Sequence, residues 1–226
     1  MTDLIITIAI FIVAHMLPAI GPLRRGIIKT IGKTPYIVGF SLMSLGLLGW
    51  VGIAYAEAPY RELWVLPGFI LWLPALLMPL ATILLVAVFT NPNPLSIALK
   101  SDGFNENKMG VVAITRHPLL VALLLWSVSH MVINGDMASV LLFGLFTIMS
   151  LGGPVSIEKR KKQKMSADQW QRLSAATSFM PFWAMVAGRA RLNIATIGWP
   201  TIVAGLVLYG VLFYLHPEFI GAMPHP

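Results

Sequence analysis

The sequence predicts an all-α, polytopic membrane protein with about six transmembrane helices and a cytoplasmic interfacial segment between the fifth and sixth. Three observations carry this. Of 226 residues, 57% are hydrophobic and 11% charged, with a mean hydropathy of +0.79, whereas a soluble domain carries roughly 25% charged residues. The apolar residues gather into runs approaching or exceeding the roughly 20 residues that a crossing needs. The basic residues fall in loops between alternate runs, which is the pattern membrane topology produces. The net charge of +7 therefore calls for a lipid bilayer as partner and not for nucleic acid.

The spans lie near 4–22, 36–56, 65–89, 117–134, 137–155 and 196–215, in a single domain over 1–226. The first run follows MTD without a basic leader or small-residue cleavage site, so it reads as a retained span and not a signal peptide. The third contains Pro67, Pro74 and Pro79. It is expected to kink, and the carbonyls its prolines free need partners inside the bundle. The fourth and fifth are joined only by Asn134, Gly135 and Asp136, giving a tight antiparallel hairpin.

All but Arg61 of the 16 Lys and Arg residues lie in three segments, after spans one, three and five. Alternation puts these segments on one side, and the positive-inside rule makes that side cytoplasmic, with both termini on the opposite, periplasmic face. The long segment 156–195 opens as a charged helix, and Ser166 starts a second helix carrying Trp170 and Leu173. The later FMPFWAMV stretch, followed by Arg189 and Arg191, reads as interfacial or re-entrant. Anionic lipid accounts for most of the charge, at roughly 1 kcal/mol per Lys or Arg near the surface.

The candidate functional residues are histidines, because the chain has no cysteine and therefore no disulfide, thiolate haem ligand or Cys-type zinc site. His15 lies roughly 16 Å into span one, near the midplane, where an ionisable residue is a functional candidate by default. His130 follows Trp126 by one turn, so Leu123, Trp126 and His130 share a face. His117 stands at the cytoplasmic mouth between Arg116 and Pro118. His216 and His225 are expected in a solvated outer tail. Thirteen residues separate His117 from His130, about 20 Å and roughly 220° of turn, so they cannot share an iron. His15 could pair with either. A haem would have to be held by histidine, methionine or tyrosine.

FIVAHMLPAIGPLR, TRHPLLVALLLWSVSHMVINGD, a following FG and TSFMPFWAMVAGR together resemble the NnrU family of bacterial membrane proteins over most of the chain. That family is associated with nitrogen-oxide metabolism in denitrifying bacteria, which implies the bacterial inner membrane. It is related to the plant 15-cis-zeta-carotene isomerase, an integral membrane protein with haem b. The resemblance implies His15 and His130 as haem ligands and Trp126 as the accompanying tryptophan. The isomerase has a cysteine directly after that tryptophan. Ser127 stands here, so no thiolate ligand is expected.

A second resemblance is to membrane methyltransferases of the isoprenylcysteine and phospholipid type. It rests on Arg116, His117, Pro118, Glu158, Trp170, Arg172, Pro181 and Phe182, and implies S-adenosylmethionine bound near Arg116, His117, Glu158 and Arg172. The motif's tyrosine and glycine are replaced by Leu120 and Ala122, and its double acid by Glu158 and Lys159. This is shared architecture and not a shared cofactor. The expected function is that of a b-type haem protein, serving nitrogen-oxide metabolism or redox-type isomerisation of an apolar polyene. A non-enzymatic assembly or scaffold factor and a methyltransferase are the alternatives, so an apolar or small-molecule ligand is expected without an assigned catalytic residue.

Overall fold

The computed structural model describes residues 1–16, 21–98 and 100–224. His225 and the part of the first expected span at 17–20 lie outside them. The described chain is helical: α1 (Thr2–Met16), α2 (Gly21–Ile31), α3 (Lys33–Ala56), α4 (Leu73–Thr90), α5 (Pro118–Asn134), α6 (Met137–Lys162), α7 (Ala167–Ala175), α8 (Trp183–Val186), α9 (Ile194–Ile197) and α10 (Trp199–Ile220). An isolated antiparallel bridge joins Glu62 and Asp136.

Among the described residues, α3, the stretch Gly68–Thr90 containing α4, α6 and α10 are long and apolar enough to cross a membrane, and α1 with α2 makes a fifth if they form one bent span. The chain is a multi-pass membrane protein. The expected fourth span corresponds to α5, which has 17 residues and is shorter than the roughly 20 of a full crossing. Conversely, α6 runs to Lys162 without a break, seven residues beyond the expected end of the fifth span.

Contacts gather into two compact units, residues 1–65 with 134–145 and residues 66–133 with 146–226. In the first, α1 packs on α3. Its buried residues Leu4, Thr7, Ile8, Phe11 and Ala14 recur at helical spacing on one face, and α3 buries Val51 and Ala54. The Tyr55 hydroxyl lies 2.9 Å from Ser139 Oγ, tying α3 to the start of α6. The NGD turn meets the loop after α3: Leu63 N and Trp64 N both donate to Gly135 O, at 2.8 and 3.0 Å, and Met137 N donates to Arg61 O. Gly135 has φ +60°, and a Cβ there would lie 2.1 Å from Trp64 O, so only glycine fits. Asp136 caps α6 by accepting from Ser139 N at 3.0 Å.

In the second unit, α4 packs on α10. Chain enters α4 through a 3₁₀ turn at Gly68–Trp72, with Pro74 in the first helical turn and Pro79 in the interior. Pro79 has no N–H, which frees the Ala75 carbonyl four residues back. The Tyr209 hydroxyl on α10 donates to that carbonyl at 3.4 Å, so the expected partner for a freed carbonyl is present. Gly205 brings the two backbones close, since a Cβ there would fall 2.6 Å from Ile83 Cα. At the end of α4, Asn91 donates to Ile197 O and Thr201 Oγ1 and accepts from Val111 N, joining α9, α10 and a 3₁₀ turn at Gly110–Ala113.

The close α4–α10 approach gives a stability prediction. Gly205→Ala should lower unfolding free energy by about 1–3 kcal/mol through overpacking, read as a lower thermal midpoint in detergent. Gly210→Ala, where an added methyl meets nothing within 4 Å, should leave that midpoint unchanged or raise it.

Candidate functional site

Antiparallel packing of α5 on α6 fixes the site. The Trp126 ring lies 5.3 Å from the Phe146 ring, Ser127 Oγ lies 2.9 Å from Thr147 Oγ1, and Leu120 Cδ1 lies 2.9 Å from where a Gly153 Cβ would be. Partners advance along α6 as they recede along α5. One further turn sets Glu158 beside the residues that precede α5.

There Glu158 Oε1 accepts from Arg116 Nη1 at 2.6 Å and from His117 Nε2 at 3.0 Å. The other face of the His117 ring receives the Ser96 hydroxyl on Nδ1 at 2.7 Å. Both imidazole nitrogens are thereby engaged, and the His117 side chain has no exposed surface. Arg116 spends its remaining donors on the end of α7 and the segment after it: Nε on Thr177 Oγ1, and Nη2 on the Ser174 and Thr177 carbonyls. Its backbone joins in, with Arg116 N donating to Ser178 O and its carbonyl accepting from Asn93 Nδ2. Thr115 Oγ1 donates to Phe179 O, and Phe182 N donates to Ile114 O. A buried polar network with its partners supplied is rigid.

Ser96, His117 and Glu158 stand in the order of a nucleophile, base and orienting acid. Ser96 is only 1% exposed, however, and Arg116 holds the same carboxylate oxygen that orients the imidazole. The arrangement braces chain segments and leaves no approach for a substrate to the hydroxyl. Arg172, expected with these groups, instead is exposed and 3.8 Å from Glu106. Trp170 and Leu173 pack into the core of the unit, on a helix capped by Ser166, as expected.

His130 and His15 share a different geometry. The His130 Nδ1 lies 2.8 Å from the Trp126 carbonyl, and the His15 Nδ1 lies 2.9 Å from the Phe11 carbonyl. A carbonyl only accepts, so in each case Nδ1 carries the proton and Nε2 keeps its lone pair. Each ring also meets the aromatic ring one turn earlier: His15 stacks on Phe11 at 4.0 Å, and His130 lies 5.9 Å from Trp126. Phe40 on α3 adds an edge contact to His15 at 5.5 Å. His216, expected in a solvated tail, lies within α10, half-buried and within electrostatic reach of His130. The helix runs farther than the apolar pattern because polar Glu218 and Pro217 fall in its last turn. Among the described residues, no three His, Asp or Glu side chains gather as ligands for a metal ion, and a haem iron held by two histidines needs no such cluster.

The family model described as NnrU protein matches residues 3–224. The chain belongs to the NnrU family. Neither the curated proteins nor the solved structures compared with it give a match. In this NnrU-family chain the conspicuous blocks of sequence sort into separate tasks. NGD builds the turn before α6, RHP and TSF bond to each other around Glu158, and W-x-x-x-H sets a histidine ring on its own helix. Ser127 is fully buried and points to Thr147, so it serves the α5–α6 contact.

Sequence reasoning missed Ser96, Asn93 and Thr177 as parts of the site. The signal for the first two was an NPNPLS stretch: Asn93 Oδ1 accepts from Leu95 N at 2.9 Å, a local Asx turn that presents Ser96 to His117.

Truncation separates the brace from surface charge. Arg116→Met leaves Glu158 with His117 as its donor, strands the Ser174 and Thr177 carbonyls and should cost about 2–3 kcal/mol, a value reduced by the partial exposure of Glu158. Arg172→Met breaks only an exposed pair and should cost under about 0.5 kcal/mol. Thermal unfolding in detergent measures both, and limited proteolysis at 163–182 should accelerate in the first variant alone.

Proposed function

We propose that this chain is a b-type haem-binding protein of the bacterial inner membrane, with His15 and His130 as the iron ligands and Trp126 packing against the macrocycle. Both termini face the periplasm in this reading. The observation that supports it is the matched histidine geometry. A metal-binding imidazole usually donates its second nitrogen to a carbonyl or carboxylate, which fixes the tautomer and aims the other lone pair at the metal. His15 and His130 each do this through the carbonyl of an aromatic residue one turn back. His117 has neither nitrogen to offer, which favours His130 over His117 as the partner of His15.

Bound iron supplies one-electron chemistry, suited to the family's association with nitrogen oxides or to redox-type isomerisation of an apolar polyene. The chain's own part is to fix two imidazoles in one tautomer and to keep the surroundings apolar. A methyltransferase reading draws on the convergence of Arg116, His117 and Glu158, but their donors are consumed by one another and by the 174–178 backbone. That reading expects heat on titration with S-adenosylmethionine; the haem reading expects none.

Absorption spectra test the proposal. Protein purified after haem-replete expression should show a Soret band that shifts on reduction. His15→Ala and His130→Ala should each abolish or shift it, whereas Ser96→Ala, which touches only His117, should leave it in place. Absence of the band from the unaltered protein overturns the haem reading and leaves a scaffold or assembly role.

A further inference from the structure

We propose that residues 180–191 form a docking surface for the anionic phospholipid leaflet, with lipid head groups held at Arg189 and Arg191. The segment lies between α6 and α10, two helices of membrane-crossing length, yet belongs to neither. Its burial is inverted. The small residues Ala184 and Ala190 are buried, while Met180 (62% exposed), Trp183 (56%) and Val186 (78%) face outward together with Phe182. A segment folded only for its own stability would bury the larger side chains. Phe182 also has φ +63°, a left-handed conformation costly for an aromatic residue. The hydrogen bond from its N–H to Ile114 O and the bonds from Met185 N and Val186 N to its carbonyl hold it there. The brace around Arg116 thus holds a strained turn that displays apolar side chains.

Charge identifies the occupant. Arg189 and Arg191 follow the exposed apolar residues directly, and Lys159, Arg160, Lys162 and Lys164 are exposed at and beyond the end of α6. Apolar side chains ringed by cations suit an interface of acyl chains and phosphates. Next to the apolar residues is a cleft of about 240 Å³ lined by Arg189, Arg191, Asn107, Asn193 and Glu106 among others, wide enough for a head group. Glu106 opposes an anion there, but Arg172 lies 3.8 Å from its carboxylate. Arg189 is partly engaged on the Ala175 carbonyl. Among the described residues Arg191 has no hydrogen bond or ion pair, so its charge is available to a lipid.

The absence of cysteine gives a clean experiment. Val186→Cys carries a single environment-sensitive fluorophore on the full chain in nanodiscs of equal phosphatidylcholine and phosphatidylglycerol. Doxyl-labelled phosphatidylglycerol should quench the probe more than doxyl-labelled phosphatidylcholine at the same mole fraction. Arg191→Gln, with an unchanged thermal midpoint, should lower that preference by about fivefold, the equivalent of roughly 1 kcal/mol for one cation at an anionic surface. Quenching by neither lipid overturns the proposal, as does equal quenching by both that Arg191→Gln does not alter. Loss of the preference on adding millimolar inorganic phosphate also overturns it, because the cleft would then be a small-anion site.

Discussion

One carboxylate oxygen organises the second unit. Glu158 Oε1 accepts from Arg116 and from His117, and through those two residues it reaches four pieces of chain: the loop after α4 by Ser96, the entry to α5, the end of α6, and the C-terminal end of α7 with the strap after it by Ser174 and Thr177. None of these contacts is local in sequence. They exist because α6 is one unbroken helix packed antiparallel on α5. A break at the expected membrane boundary near residue 155 would release Glu158 from its register. Glu158 would then be one more charge in a basic surface, and the buried imidazole would lose the acceptor for Nε2. Burial without that acceptor is expensive, so helix continuity and polar satisfaction depend on each other.

The same demand governs the helices that face lipid. With no water to receive a freed carbonyl, each interruption must be answered by another side chain. Pro79 frees Ala75 O, and Tyr209 supplies a hydroxyl. That hydroxyl reaches only because Gly205, about one turn earlier on α10, lets that helix approach α4 at Ile83. Asn91 performs the corresponding duty at the end of α4, where helix carbonyls and a turn N–H would otherwise be unmet. Gly135 meets it at the NGD turn, accepting two backbone donors with its carbonyl while its missing side chain makes room for Trp64.

What sequence revealed and what it hid follow from this division. Apolar runs, the proline break before α4, the NGD turn and the Ser166 cap are local signals, and each is visible in a window of a few residues. The membrane class and family were legible for the same reason. The charged helix after the fifth span was legible as well, but not that it continues the span as one helix to Lys162, because the change from apolar to charged residues near 156 looks like a boundary. Nor was the destination of Glu158, noted in sequence only by resemblance. Ser96 meets His117 from 21 residues away and Thr177 meets Arg116 from 61. Those pairings belong to the packing of α5 on α6, which no periodicity encodes. Even His216 was misplaced by the same limit, since a helix ending in His-Pro-Glu looks like a tail.

The histidines show how far residue type alone carries a functional argument. Three imidazoles stood out in the apolar sequence, and depth in the membrane favoured His15. The structure separates them by a different property, the use made of each ring nitrogen. His117 is the most deeply buried and would rank first by depth or isolation, yet a hydroxyl and a carboxylate occupy both its nitrogens. His15 and His130 are only partly buried, but each turns Nδ1 back onto its own helix and keeps the Nε2 lone pair unprotonated. That choice comes from a local pattern, an aromatic residue four positions earlier whose carbonyl and ring both meet the imidazole. A residue meant only to satisfy the fold has every polar atom answered within it, and His117 fits that description. In His15 and in His130 the bond from Nδ1 to a carbonyl makes Nε2 the basic nitrogen, and that is the tautomer a metal-binding imidazole uses.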